Sequence, residues 1–286
     1  MNWKRFYMVL FAFAATSYVN AQANLLNAKK VDEIGFKSEA QIASEDDKPL
    51  PYGYISDRDV LWSKVVWEYV DLNQKINLPY YFPIDTTNAG LTRRSLFDTL
   101  LKGIKNGEIK EVYNDSYFTT KIGIEQIEMM TKNERQNGDY IDTYTVQSAD
   151  IKGYLLKGLW YFDKRQGELK YRLLALAPMG PDVQVMGVEE IDDKENVYEL
   201  FWVFFPDSRE TLHKSKVFNP ENSAQPLSYD NLLNARRFNS TILKEENIYG
   251  DRAISDYIRG NSLFQLLEAN RIKEGIRDKE MDMWNY

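Results

Sequence analysis

The stretch Glu199-Leu200-Phe201-Trp202-Val203-Phe204-Phe205-Pro206 sets six large apolar residues between an acid and a proline. The run is too short to cross a bilayer as a helix, which takes about 20 residues. Its aromatic and β-branched content fits a pleated surface better than a helix. As a strand it points Leu200, Trp202 and Phe204 to one side and Phe201, Val203 and Phe205 to the other. Both faces are apolar, so both need cover. The run is therefore a central strand with protein on each side, or a strand with one face given to a partner. Pro206 has no N–H to donate, so pairing should end there.

Working outward, Leu155–Asp163 reads as a strand, Arg165-Gln166-Gly167 as a turn and Leu169–Ala177 as the return strand. Together with 199–205 they predict a meander of at least three antiparallel strands. Short strands are also expected near 108–113, 140–147, 183–188 and 240–244. Helical spacing predicts a helix over 57–73, opened by Ser56-x-x-Asp59 and carrying Leu61, Val65, Tyr69 and Leu72. A second, Arg93–Asn106, is capped by Thr92 and stopped by Asn106-Gly107. A third follows Thr119 or Thr120 and uses Ile124, Ile127 and Met130. Ser228 caps a short helix. Asn261 caps a last one running to about Met281, with Leu263, Leu266, Leu267, Ile272 and Ile276 as its apolar positions. Asn77–Pro83 should be extended, because Pro79 and Pro83 interrupt it. The fold class is α+β, an antiparallel sheet (155–163, 169–177, 199–205) packed with several helices.

The N-terminus reads as a secretory signal peptide over residues 1–21. Lys4 and Arg5 precede an apolar core from Phe6 to Thr16, and cleavage is expected between Ala21 and Gln22. Residues 22–56, broken by Glu45-Asp-Asp-Lys48, Pro49 and Pro51, read as an extended arm. Residues 57–286 form the globular part, with 57–147 and 148–286 as candidate subdomains. The sequence holds no cysteine, so disulfides, thiolate chemistry and an N-terminal lipid on a mature cysteine are excluded. A formal net charge of −7 speaks against nucleic acid as a partner.

Chemistry is harder to find. His213 is the one histidine. Ser208 and Ser215 are near it in sequence, but no G-x-S-x-G elbow occurs, and one histidine cannot build a multi-histidine zinc site. Glu189–Glu195 is acidic but lacks the glycine of a calcium loop. No phosphate-binding glycine pattern is present. No catalytic residue, cofactor or metal is assigned, and the reading leans away from an enzyme. Trp284 and Tyr286, at the extreme C-terminus, are the candidates for contact with a partner.

Several motifs occur in order. They are Trp67-Glu-Tyr-Val-Asp-Leu72, Ser95-Leu-Phe-Asp-Thr-Leu-Leu-Lys-Gly-Ile104, Trp160-Tyr-Phe-Asp-Lys164, Leu174-Ala-Leu-Ala-Pro178, Leu200–Pro206, Val217-Phe-Asn-Pro220, Ser228-Tyr-Asp-Asn-Leu232 and Met281-Asp-Met-Trp284. In this order and spacing, from about Asp57 to Tyr286, the chain resembles the GldN family, called PorN in non-gliding relatives. The resemblance implies a periplasmic structural subunit of the type IX secretion machinery, attached to the outer membrane through partners. The implied partners are a GldK/PorK-type lipoprotein that forms a ring with it, further copies of itself, and motor subunits of the GldL/PorL and GldM/PorM types. The competing reading is a periplasmic domain that binds or hydrolyses carbohydrate or peptidoglycan, prompted by Tyr80-Tyr81-Phe82 and Trp160-Tyr161-Phe162.

Overall fold

The computed structural model describes residues 48–85, 93–137, 140–186, 197–217, 219 and 227–283. The cleavage residues Ala21 and Gln22, the cap Thr92, the acidic loop 189–195 and the C-terminal Trp284 and Tyr286 lie outside the described residues. From Pro49 onward the chain is one compact unit.

Its centre is a seven-stranded antiparallel sheet. Strand β1 is Val60–Asp71 and β2 is Val112–Tyr113; a separate hairpin pairs β3, Lys132–Asn137, with β4, Tyr140–Thr145. The long hairpin β5, Gly153–Asp163, and β6, Glu168–Gly180, is followed by β7, Tyr198–Glu199, and β8, Trp202–Phe204. A small ladder joins β9, Lys216–Val217, to β10, Leu227–Ser228, and β11 is Thr241–Glu245. The main sheet runs β11-β1-β5-β6-β8-β2, with β7 on the end of β6. The expected meander is therefore present as β5-β6-β8. At its first corner Asp163 Oδ1 accepts the N–H groups of Arg165 and Gln166, and Gly167 takes a left-handed φ of +66°.

The largest departure from expectation is β1. Residues 57–73 were expected to be helical, yet only Asp57–Asp59 makes a single tight turn, and Val60–Asp71 pairs with β5 along its length. Ser56 makes no side-chain cap. The segment is rich in valine and aromatic residues and is covered on both faces, so an i, i+4 stripe and an i, i+2 alternation coexist in it. Tertiary pairing decides between them. Asn77–Pro83 also differs: Leu78–Tyr81 is a short helix with Pro79 in its first turn, where a missing N–H costs nothing. Residues 183–186 form a turn rather than the start of a strand.

The remaining helices follow the sequence more closely. Leu96–Lys105 is capped by Ser95, whose Oγ accepts the Asp98 N–H. Ile124–Thr131 follows Gly123, with the Gln126 side chain accepting the Gly123 N–H. The threonines expected to cap this helix instead donate to Asp115, Thr119 through N–H and Oγ and Thr120 through N–H. Tyr229–Asn234 is capped by Ser228, and Asn261 Oδ1 caps the final helix, Ser262–Met283. An additional helix, Phe205–Lys214, begins where the central run ends. Pro206 both stops the ladder at Phe204 and opens this helix.

Two layers of side chains result. On one face Val70, Tyr154, Leu156, Leu173 and Leu176 meet Phe97 and Leu100 from one helix and Phe205 and Leu212 from another. Further along that side the last helix buries Ala269, Ile272 and Ile276 against Val66 and Ile242. On the other face Trp67, Leu155, Ala175, Ala177 and Trp202 pack together. Phe201, Val203 and Phe205 join the first layer and Trp202 the second, as strand alternation requires. Leu200 departs from it and joins the first layer, because the strand is interrupted at Leu200–Phe201.

Candidate interaction surfaces

The second face of the sheet is closed by residues 114–120. Phe118 sets its ring edge-on to Phe204, at 5.5 Å, and to Tyr113, at 5.2 Å. Tyr117 lies 5.7 Å from Trp67. Lys157, on β5, donates from Nζ to the Ser116 carbonyl at 2.7 Å and sits about 5.0 Å from the rings of Trp67, Tyr117 and Phe118. Lys244, on β11, approaches Trp67 to 4.2 Å and donates to the Tyr117 hydroxyl. The segment is thus held by two ammonium groups sharing a set of aromatic faces.

Burial and the Lys244 charge push the Lys157 amine below the ordinary lysine range, against the raising effect of Asp251, Asp115 and Glu246. Between that lowered value and the unfolded value of about 10.4, the unfolded chain binds the extra proton, so stability rises with pH across the window. Lys157→Met removes this dependence. The stability of the wild type relative to Lys157→Met should therefore shift in favour of the wild type as the pH rises towards the unfolded lysine value of about 10.4, read from urea midpoints. A difference that does not change with pH would count against a depressed Lys157.

Two ion pairs are tied into the fold. Arg209 grips Asp230 with two bonds, Nε to Oδ1 at 2.7 Å and Nη2 to Oδ2 at 3.1 Å, and Nη2 also donates to the Leu50 carbonyl. Tyr52 lies between the guanidinium groups of Arg172 and Arg209, each 4.1 Å from its ring. This clamp holds Leu50 and Tyr52, at the start of the compact unit, against the Phe205–Lys214 helix and β6. On the helical face Arg236 makes a two-pronged pair with Glu68, both bonds 3.0 Å, and lies 4.0 Å over the Tyr171 ring. That ring packs onto Gly158, where a Cβ would overlap it, at the point where the β5–β6 register shifts.

Among the described residues weighed for chemistry, His213 and Ser208 lie on one helix. His213 is buried near the end of the Phe205–Lys214 helix, and Ser208 Oγ is spent on the Phe205 carbonyl. Among the described residues no cluster of His, Cys, Asp or Glu has metal-binding geometry, and no helix is long and apolar enough to cross a membrane. The aromatic runs that suggest sugar stacking are largely internal. Tyr80, Tyr161 and Phe162 are buried, and Tyr80 and Tyr81 donate to the Arg237 and Ala149 carbonyls.

What the fold leaves open is apolar. Leu263, Phe264, Leu266 and Leu267, at the start of the last helix, are about half exposed (46–61%). Leu263, Leu266 and Leu267 are read from the sequence as sharing one apolar face with Ile272 and Ile276, but the buried stripe of this helix is Ala269, Ile272 and Ile276. On the 124–131 helix and on the β3–β4 hairpin, Ile124, Met129, Tyr140 and Ile141 are also exposed. Met129 also lines a mixed groove of about 600 Å³, with Ile122, Met130 and Leu200 on its apolar side and Gln126, Asp182 and Glu199 among its polar residues. The sequence signal for the first patch was present as apolar residues at i, i+3 and i+4; nothing in the sequence marked them as uncovered.

A family model described as gliding motility associated protein GldN matches residues 55–285. No curated protein matches the chain.

Proposed function

The chain belongs to the GldN family of gliding-motility-associated proteins, and from that premise we propose that it is a periplasmic, non-catalytic structural subunit of the type IX secretion machinery. In this reading it joins a GldK/PorK-type outer-membrane lipoprotein in a ring beneath the outer membrane. It works with motor subunits of the GldL/PorL and GldM/PorM types, and so supports protein export and gliding. The family match over nearly all of the compact unit carries the proposal. The fold is in keeping with it: the buried pairs Arg209–Asp230 and Glu68–Arg236 each tie together distant parts of the chain, as suits a rigid building block.

The test is co-purification of the mature chain with the lipoprotein encoded in the same organism. The expected result is a joint particle far larger than either protein, seen as rings by electron microscopy. Separate elution of two small species would overturn the proposal.

A further inference from the structure

We propose that residues 114–120 form a hinged plug, which lifts off the second face of the sheet as a unit while the sheet stays folded. The centre of that face is made of small side chains. Ala175 and Ala177, on β6, are fully buried in the layer that also holds Trp67 and Trp202. Among the partly buried apolar side chains packed against this layer, Phe118 is the one that comes from outside the strands. Ala175 pairs with Lys157 on one side and with Phe204 on the other. The Phe118 ring lies 5.1 Å from the Lys157 ammonium and 5.5 Å from the Phe204 ring. One aromatic ring therefore stoppers a slot floored by alanine.

The loop is built to move without coming apart. At its ends the Asn114 N–H donates to the Thr120 carbonyl at 2.9 Å and the Ile122 N–H to the Val112 carbonyl at 3.0 Å, with Tyr113 bridged to Lys121. These bonds pin the two ends together as a hinge. Inside, Asp115 accepts the N–H groups of Tyr117, Thr119 and Thr120 and the Thr119 hydroxyl, and its carbonyl accepts the Phe118 N–H. A compact loop closed at its ends and held by its own side chains is an Ω-type element. Among the described residues, the hydrogen bonds from the loop body to the rest of the chain all run through side chains. Lys157 donates to the Ser116 carbonyl, Lys244 donates to the Tyr117 hydroxyl, and that hydroxyl donates to Asp251. Lifting the loop exchanges these for water and breaks no backbone ladder. Phe118 also has φ +61°, the left-handed region that a bulky side chain rarely occupies. Strain of this kind persists only while surrounding contacts over-determine it, so it favours release. The closed form is thus secured by one ring and two lysines against a strained backbone.

The chain has no cysteine, so a single introduced thiol reports its own access. Ala175→Cys places a thiol beneath the plug. Leu176→Cys, at the next residue of β6, places one in the first layer under the helices, at a site that is also fully buried. Urea unfolding gives each variant its own global stability, and reaction with dithiodipyridine in the native state reads the opening of each site. Ala175→Cys should react about 100-fold faster than its global unfolding allows, with little dependence on low urea, whereas Leu176→Cys should track global unfolding. Phe118→Ala should speed the Ala175→Cys reaction by about tenfold more, and leave Leu176→Cys unchanged relative to its own stability. The Ile122 amide, at the hinge, should stay protected through this opening and exchange only with deeper unfolding. Should Ala175→Cys fail to fold, Ala177→Cys in the same layer takes its place. Labelling beneath the plug that merely follows global unfolding would overturn the proposal. So would equally easy labelling of Leu176→Cys, or exchange of the Ile122 amide with the same opening equilibrium, because the sheet or the whole region would then be unfolding. None of these results bears on co-purification with the lipoprotein.

Discussion

Trp202→Ala should remove about 3–5 kcal/mol of folding stability, the largest loss expected from any single truncation in the sheet. Trp202 is 1% exposed and touches the second apolar layer with Trp67, Leu155, Ala175 and Ala177. Its indole N–H donates to Glu199 Oε2 at 2.7 Å. Truncation would open a large cavity in a layer bounded by strands and by the 114–120 segment, neither of which can collapse freely into it. Trp202→Phe keeps most of the volume and loses the hydrogen bond, so it should cost less. Urea unfolding of both variants provides the measurement. A loss below about 1 kcal/mol for Trp202→Ala would mean that its own chain does not seal this face.

Arg236→Ala should be nearly as damaging, at about 3–5 kcal/mol, for an electrostatic reason. Glu68 is 2% exposed and Arg236 supplies both of its ion-pair hydrogen bonds. Removing the arginine leaves a carboxylate inside the protein with no compensating charge. Arg236 also occupies a backbone position that glycine would ordinarily take. The Tyr229–Asn234 helix ends with Arg237 N–H bonded to the Leu232 carbonyl and Arg236 N–H to that of Leu233, and Arg236 has φ +50°. This is the Schellman pattern, with arginine in the left-handed site. The strain of about 1–2 kcal/mol is accepted because the guanidinium is delivered onto Glu68 and the Tyr171 ring. The double variant Glu68→Leu/Arg236→Met should accordingly be more stable than Arg236→Ala, since it removes both charges and keeps the volume. Thermal melts of the two settle the matter; a double variant no better than the single one would refute the buried-charge account.

The parts of the fold that could be read from the sequence are those where local pattern and tertiary role coincide. The β5–β6 hairpin carries its turn in Arg165-Gln-Gly167 and long apolar flanks, and it lies within a few residues of expectation. Ser228 and Asn261 cap helices because a short polar side chain there satisfies a free N–H whatever the rest of the molecule does. Where a segment is covered on both faces, its period is lost. That is why β1 carries helical spacing although it is a strand, and why the Phe205–Lys214 helix, which buries Ser208, Arg209, Thr211 and His213, shows no apolar stripe. The candidate surface was half legible. The apolar residues of the last helix were identified, but exposure is a property of neighbours: Ile272 and Ile276 find Val66 and Ile242, whereas Leu263 and Leu266 do not share that cluster.

By itself the sequence determined the class of the protein: an α+β chain in the GldN family with a two-faced apolar strand at its centre. The tertiary structure alone decided how the two faces of that strand are covered. Helices fill one side, and residues 114–120, drawn in by Lys157 and Lys244, fill the other. Nearest-neighbour chemistry fixes what a residue prefers. Only the assembled sheet brings together the strands β1, β5 and β11 that hold this segment, and so determines which apolar side chains stay exposed.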